Sequence, residues 1–222
     1  MVVYYVMALA LWREAPLEEV LRVVCEGLQW LSGGKGGAVQ ASKSAISQAR
    51  TRLGSEVLFD LAQRVLRPLA PPAAPGAWYR GLRVMAVDGS SMDVADETAN
   101  AGYFGYPAAS RGQSAFPQAR LLGLVECGTH AVVAALYHER GEIEGVFDEL
   151  KTHLRSNSTV LRSKTPDLVK QEMWGLLLAH FAIRQIMTQA AWPRQLDPDK
   201  ISFTHAVRVI KRKMPQAAAI PP

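Results

Sequence analysis

Tyr137, Arg140, Glu144 and Lys151 are the residues of this sequence whose types and spacing most directly suggest chemistry. They lie in the stretch YHERGEIEGVFDELK, which reads as an amphipathic helix. At about 100° per residue, Ile143, Val146, Phe147, Leu150 and Leu154 form one apolar stripe. Arg140, Glu144 and Lys151 line up beside that stripe, with Tyr137 just beyond. A carboxylate flanked by two cations at the rim of a core is half of an active site, or it is a salt-bridge ladder. Asp148 and Arg155 extend the ladder, worth about 0.3–0.5 kcal/mol per pair. The second carboxylate of interest is Asp88, which follows the apolar run LRVMAV and precedes Gly89, Ser90 and Ser91. This pattern predicts an aspartate at the carboxyl end of a buried strand, a common place for metal and nucleotide chemistry. An Asx-turn closing the strand is the plain alternative. Two-metal phosphoryl chemistry requires carboxylates from separate elements to converge, which sets Asp88 beside Glu144.

A second group of residues suits a polyanion. The segment SKSAISQARTRLGSEVLFDLAQRVLRP predicts two short helices around Gly54, with Lys43, Arg50 and Arg52 on the first. Side chains of this kind reach phosphates or base edges; an ordinary helical hairpin is the plain alternative. Other patterns carry less. GAVQASKS misses the phosphate-binding loop pattern at Ser42 and follows no strand. Cys127 and His130 in ECGTH lack a partner pair at zinc spacing, and a hairpin turn explains them. Ser90 and Ser91 stand in no nucleophile-elbow context, and His180 in LLLAHFAI reads as a core or interhelix histidine. Asp93, Asp96 and Glu97 read as solvated loop residues.

The elements that must position these groups follow from periodicity and punctuation. Residues 3–13, 16–31, 42–53 and 55–69 each predict a helix. Pro16 suits a first turn, Ser42 an N-cap and Gly54 a stop. The apolar opening MVVYYVMALALW lacks a basic leader region and falls short of the ~20 residues that cross a bilayer. It reads as a buried helix, or as one whose upstream partner is missing. SGGKGG makes a flexible link, and PLAPPAAPG, residues 68–76, is a stiff linker and the expected domain boundary. Beyond it, Leu82–Ser90 predicts a buried strand, and ARLLGLVE with HAVVAALY predicts a hairpin around Gly128. Residues 163–187 predict a long apolar helix capped by Ser163 or Thr165, and KISFTHAVRVIKRKMP a short basic one. No internal repeat is evident.

The hydrophobic content of 49% places the chain among ordinary globular proteins rather than disordered ones. Two distant cysteines, Cys25 and Cys127, suit a reducing cytoplasm. The net charge of +5 is segregated: residues 1–75 carry +2, 76–150 carry −5 and 151–222 carry +8. Basic flanks suit a polyanion and an acidic centre suits metal ions, although chance segregation on a solvated surface produces the same pattern.

The spacing Tyr, two residues, Arg, three, Glu, six, Lys resembles the carboxyl-terminal signature of bacterial DDE transposases of the insertion-sequence-four type. Tyr137, Arg140, Glu144 and Lys151 meet it without a gap. AVDGSSMDVADETANAGYFGYP resembles the family's first-aspartate segment, and SRGQSAFPQARLLGLVECGTHAV the strands after it. FDELKTHLRSNSTVLRSKTPDLVKQEMWGLLLAHFAIR is similar to the helices that follow the catalytic glutamate, and the amino-terminal helices resemble the family's amino-terminal domain. The resemblance implies a mixed α/β chain. Residues 1–70 would form a helical DNA-binding domain, 77–190 a shortened ribonuclease H-like domain, and 191–222 a basic helix and tail. It implies Asp88 and Glu144 as catalytic residues binding Mg²⁺ or Mn²⁺ for phosphodiester hydrolysis and strand transfer. It implies Tyr137, Arg140 and Lys151 as contacts to DNA. The implied partners are the inverted-repeat ends of an element and a second copy or a full-length subunit. The implied setting is the cytoplasm at the nucleoid, with no membrane.

The sequence departs from that pattern at the middle carboxylate. The family has a second Asp followed by Arg-Gly, and no Asp-Arg-Gly occurs here. Only 55 residues separate Asp88 from Glu144, as though an internal segment were deleted near Val133, and Gly141 stands where the family places Trp. The amino terminus also reads as cut back. Two metals ~3.5–4 Å apart would lose a ligand and much of their charge compensation, so the expected product is a transposase-family chain that does not cleave DNA. The alternative expectation is a regulator that occupies element ends or sequesters subunits.

Overall fold

The computed structural model describes residues 1–31, 40–109, 112–138 and 160–214. Its helices are α1 (Val2–Leu11), α2 (Leu17–Leu31), α3 (Lys43–Leu53), α4 (Glu56–Val65), α5 (Thr98–Phe104), α6 (Pro166–Ala191) and α7 (Phe203–Lys213). Its strands are β1 (Trp78–Tyr79), β2 (Leu82–Arg83), β3 (Met85–Asp93), β4 (Ala108–Ala109), β5 (Gly112–Gln113), β6 (Gln118–Glu126) and β7 (Ala131–His138). The chain is therefore mixed α/β, with β1–β2 and β4–β5 as two-stranded pairs and β3–β6–β7 as an antiparallel sheet in that order.

The organising element is α6, whose 26 residues span about 39 Å at ~1.5 Å per residue. It is apolar around most of its circumference, as a helix buried on several sides must be, and α1, α4, α5, α7 and β7 all pack on it. The apolar opening of the chain is one of these partners: Tyr5, Val6, Ala8, Leu9, Ala10 and Leu11 of α1 are all buried. Gly175 lets the two helices approach. A Cβ there would stand 2.7 Å from Val6 Cγ1 and 2.9 Å from its carbonyl oxygen, so the small residue offsets the roughly 1 kcal/mol it costs inside a helix. Leu58 and Ala62 of α4 join the same core as Met92, Leu121 and Ala135 of the sheet.

Local signals hold where they depend on neighbouring residues. The Ser42 hydroxyl accepts the Ala45 N–H at 3.2 Å, and Gly54 ends α3 at φ +71°. The β6–β7 hairpin turns at residues 127–130, with Gly128 at φ +86° and His130 at φ +54°. His180 is buried against the Phe203 ring, with centroids 5.3 Å apart. Elsewhere the structure differs. α4 stops at Val65, because Leu66 turns extended ahead of Pro68. α6 runs four residues beyond Met187, to Ala191, and Thr165 is its N-cap without a side-chain hydrogen bond.

The largest correction concerns β3. The strand expected to end at Ser90 continues through Asp93, because its register against β6 carries Gly89, Ser90 and Ser91 along opposite Leu122, Leu121 and Arg120. Nor is the strand buried throughout. Its outer face leaves Val87 71% exposed, and Leu136 of β7, on the same face across β6, is 67% exposed. Tyr137, expected at the edge of a helix, lies instead on β7 opposite Leu121. The remainder of the proposed amphipathic helix and the SGGKGG link lie outside the described residues.

Candidate nucleic-acid interface

α3 separates its three candidate cations by exposure. Lys43 and Arg52 are exposed, whereas Arg50 is buried. The Arg50 guanidinium donates to Gln171 Oε1 at 2.9 Å, Ser163 Oγ at 3.0 Å and the Leu168 carbonyl at 3.3 Å. Gln171 answers by donating to the Arg50 and Gly54 carbonyls at 3.0 and 2.9 Å. Burial pulls the Arg50 pKa down, and the nearby Glu172 charge opposes it. Arg50 therefore ties α3 to α6 from inside, and the surface of α3 is left to Lys43 and Arg52. One rule of helix geometry would have separated them: residues two apart do not share a face.

Asp88 is half-buried in the middle of β3 rather than at its end, and its Oδ1 accepts the Gly89 N–H at 2.8 Å. Across the sheet it shares a rung with Gly123 and Ala135, while Tyr137 lies on the next inward-facing rung with Leu121 and Ser90. The two are thus on the same side of the sheet but on opposite edge strands. Asp93, five residues on, falls on the other side by strand alternation, where its Oδ1 accepts the Gln118 side-chain N–H at 2.8 Å. Asp96 accepts the Tyr106 hydroxyl, and Glu97 pairs with Lys164 at 2.6 Å. Arg140, Glu144 and Lys151 lie outside the described residues.

These positions decide what the described carboxylates can do with a divalent metal. Among the described residues no three His, Cys, Asp or Glu side chains converge on one point. Asp88 and Asp93 face opposite ways, and Glu126 is fully buried with its oxygens already taken. Leu69 and Ala70 each donate a backbone N–H to Glu126 Oε2 at 2.8 Å, Thr129 donates its hydroxyl at 2.5 Å, and Arg83 donates to Oε1. The described donor set does not make a metal centre.

The fold also assembles a group that sequence spacing did not reveal. Lys170 of α6 sets its Nζ 4.4 Å from the Tyr103 ring centroid of α5 and 4.9 Å from that of Tyr137 of β7. All three are half-buried. Burial works to lower the Lys170 pKa, but hydrogen bonds to the two phenols outweigh it and hold the ammonium above its ordinary value. The one hint in the sequence was a lysine inside the apolar stretch DLVKQEMWGLLL, and its partners lie 67 and 33 residues upstream.

With this geometry in place, the comparisons with known proteins bear on it. Residues 1–62 match the insertion element 4 transposase N-terminal family. The transposase InsG for insertion sequence element IS4, from Escherichia coli (strain K12), is 38% identical over 85 residues, which is 36% of this chain and 18% of that protein. The putative transposase InsZ of the same organism is 26% identical over 129 residues, 58% of this chain and 43% of that protein. The amino-terminal match and these two relatives support an insertion-sequence-four type of transposase. The chain spans less than half the length of either of these relatives. No solved structure matches it. No described helix is long and apolar enough to cross a membrane.

Proposed function

We propose that this chain is a DNA-binding protein of transposition that engages element ends without cutting them. The observation that carries the reading is the surface of α3: within the matched amino-terminal residues, the fold buries Arg50 and leaves Lys43 and Arg52 exposed on a capped helix. Cations left on a helix surface are available to phosphates, which supply most of non-specific DNA affinity. The antiparallel β3–β6–β7 sheet, with Asp88 on its first strand, supports a ribonuclease H-like origin for residues 77–190. The amino-terminal 1–70 would be the DNA-binding part. Asp88 and Glu144 would be the remaining pair of the family's metal-binding carboxylates, and Tyr137, Arg140 and Lys151 contacts to the DNA end. The non-cleaving half of the proposal rests on the missing middle aspartate and on Asp93 facing away from Asp88. The protein would act in the cytoplasm at the nucleoid, alone, with a second copy or with a full-length subunit.

The test places the full chain, with Mg²⁺, on labelled duplexes carrying the inverted ends nearest its gene, and scores binding and cutting together. The expected result is specific, salt-sensitive binding without a cut, weakened by Lys43→Gln and Arg52→Gln. Cutting that disappears in both Asp88→Ala and Glu144→Ala would overturn the non-cleaving reading. Absence of any binding would overturn the DNA reading itself.

A further inference from the structure

α7 turns a positively charged face to solvent. Its residues FTHAVRVIKRK include four cations and no carboxylate. At about 100° per residue, Phe203, Val207 and Ile210 form one side, and His205, Arg208 and Arg212 the opposite one. The structure keeps that division: Phe203 and Val207 are buried, whereas His205, Arg208 and Arg212 are exposed. The helix is also held at both ends. At its start the Ser202 hydroxyl accepts the His205 N–H at 3.3 Å, and the Phe203 ring lies against His180 of α6. At its end the backbone rests on α2, where a Cβ on Gly27 would stand 3.4 Å from the Met214 carbonyl oxygen.

Helix stability does not account for this face. Lys211, Arg212 and Lys213 in the last turn complement the helix dipole, but Arg208 stands more than a turn before the end. Arg208 and Arg212, four residues apart, repel each other on the helix surface. The surface of α2 is balanced instead: its exposed Arg22 pairs with Glu19 at 2.6 Å and with Glu26, both on the same helix. Lys211 lies at the flank of the α7 face near Glu14 and is not counted in it. A row of one sign suits a polyanion. From His205 to Arg212 the face is about 10 Å long, a length over which a duplex presents about six phosphates. Guanidinium forks match phosphate oxygens in geometry as well as charge. An anionic membrane would need the apolar side of the helix for insertion, and Phe203 and Val207 are already committed to the core. We infer that α7 is a second surface for duplex DNA, with Arg208 and Arg212 on backbone phosphates. This rests on the DNA reading above and goes beyond it, because α7 lies outside the amino-terminal helices and the Tyr137, Arg140 and Lys151 group.

Two measurements on the full chain separate this surface from that reading. In the first, anisotropy of a labelled element-end duplex and of a scrambled duplex is followed against salt. The proteins are wild type, the double variant Arg208→Gln with Arg212→Gln, and the double variant Arg208→Lys with Arg212→Lys. The glutamine pair should weaken both duplexes by the same factor, because phosphate contacts carry no base sequence. It should also shrink the slope of log affinity on log salt by about 1.8, the share of two phosphates. The lysine pair should restore the slope. In the second, His205 alone is replaced by the photoreactive p-benzoylphenylalanine, which leaves both arginines in place, and irradiation should cross-link the bound duplex. DNA binding with an unchanged slope in the glutamine pair, or bound DNA without a cross-link, would overturn the α7 surface and leave the DNA reading standing. A glutamine pair that weakened the element end alone would make α7 a reader of bases and overturn its assignment to the backbone. Wild type that bound neither duplex would overturn the DNA reading and this surface with it. Attachment to phosphatidylserine vesicles in place of DNA, lost in the glutamine pair, would assign the face to a membrane and overturn the inference.

Discussion

At the hairpin end of the β3–β6–β7 sheet, Glu126 is fully buried and its oxygens are met by Leu69, Ala70, Thr129 and Arg83. At the far end, Lys170 stands half-exposed between Tyr103 and Tyr137 with no carboxylate among its described neighbours. Both are charges beside the same sheet, and they are finished in opposite ways. At the first end the charge is spent inside the molecule, where it pins residues 69–70 to the strand and leaves little for an outside ligand. At the second the ammonium rests against two tyrosine rings and stays within reach of solvent. The difference teaches how this fold handles charge: one group is enclosed by its partners and ties two segments together, and the other stays near the surface between aromatic rings.

The sharpest way to break that comparison is Glu126→Ala. It would strand two backbone N–H groups and the Arg83 guanidinium, and the expected loss is about 3–5 kcal/mol, read by urea denaturation. A loss under about 1 kcal/mol would show that the hairpin end is no better settled than the other. Gly128→Ala tests the same end through the backbone. Its φ is +86°, and an added Cβ would stand 2.5 Å from the Pro75 carbonyl oxygen, so about 2–3 kcal/mol should be lost. If thermal melting found the variant unchanged, the close approach of residues 75–77 to the turn would be wrong.

Smaller effects sharpen the contrast within one helix. Arg50→Met leaves Gln171 and Ser163 short of a partner inside the core, and should lower stability by about 1–3 kcal/mol. Its folded fraction should keep its DNA affinity, measured at matched salt. Arg52→Gln should do the reverse: stability within about 0.5 kcal/mol of wild type, with the salt slope of DNA binding reduced by about 0.9. Equal stability losses at both positions would erase the distinction between the inner and outer faces of α3.

How far the sequence could be read follows the range of the interaction involved. The Ser42 cap, the Gly54 stop and the turn at Gly128 each depend on a few adjacent residues, and the fold contains them as expected. The apolar surroundings of His180 likewise announced its burial. Asp88 was legible as a residue of interest but not as a mid-strand one, because Gly89, Ser90 and Ser91 read locally as a turn. Pairing with β6 overrides that tendency. Arg50 looked like its neighbour Arg52, since nothing in a linear pattern tells which side of α3 meets Gln171.

By itself, then, the sequence determined the class of the chain, its family resemblance, most helix boundaries, the hairpin and the absence of the middle Asp-Arg-Gly. All of these reside in composition, order or short spacing. Only the tertiary structure decided that Arg50 turns inward, that Asp93 faces away from Asp88, that Glu126 is consumed at the hairpin end, and that Lys170 meets Tyr103 and Tyr137. The physical reason is common to all four: burial and partnership depend on which faces of distant elements are pressed together, and that is settled by packing around α6 rather than by any local run of residues.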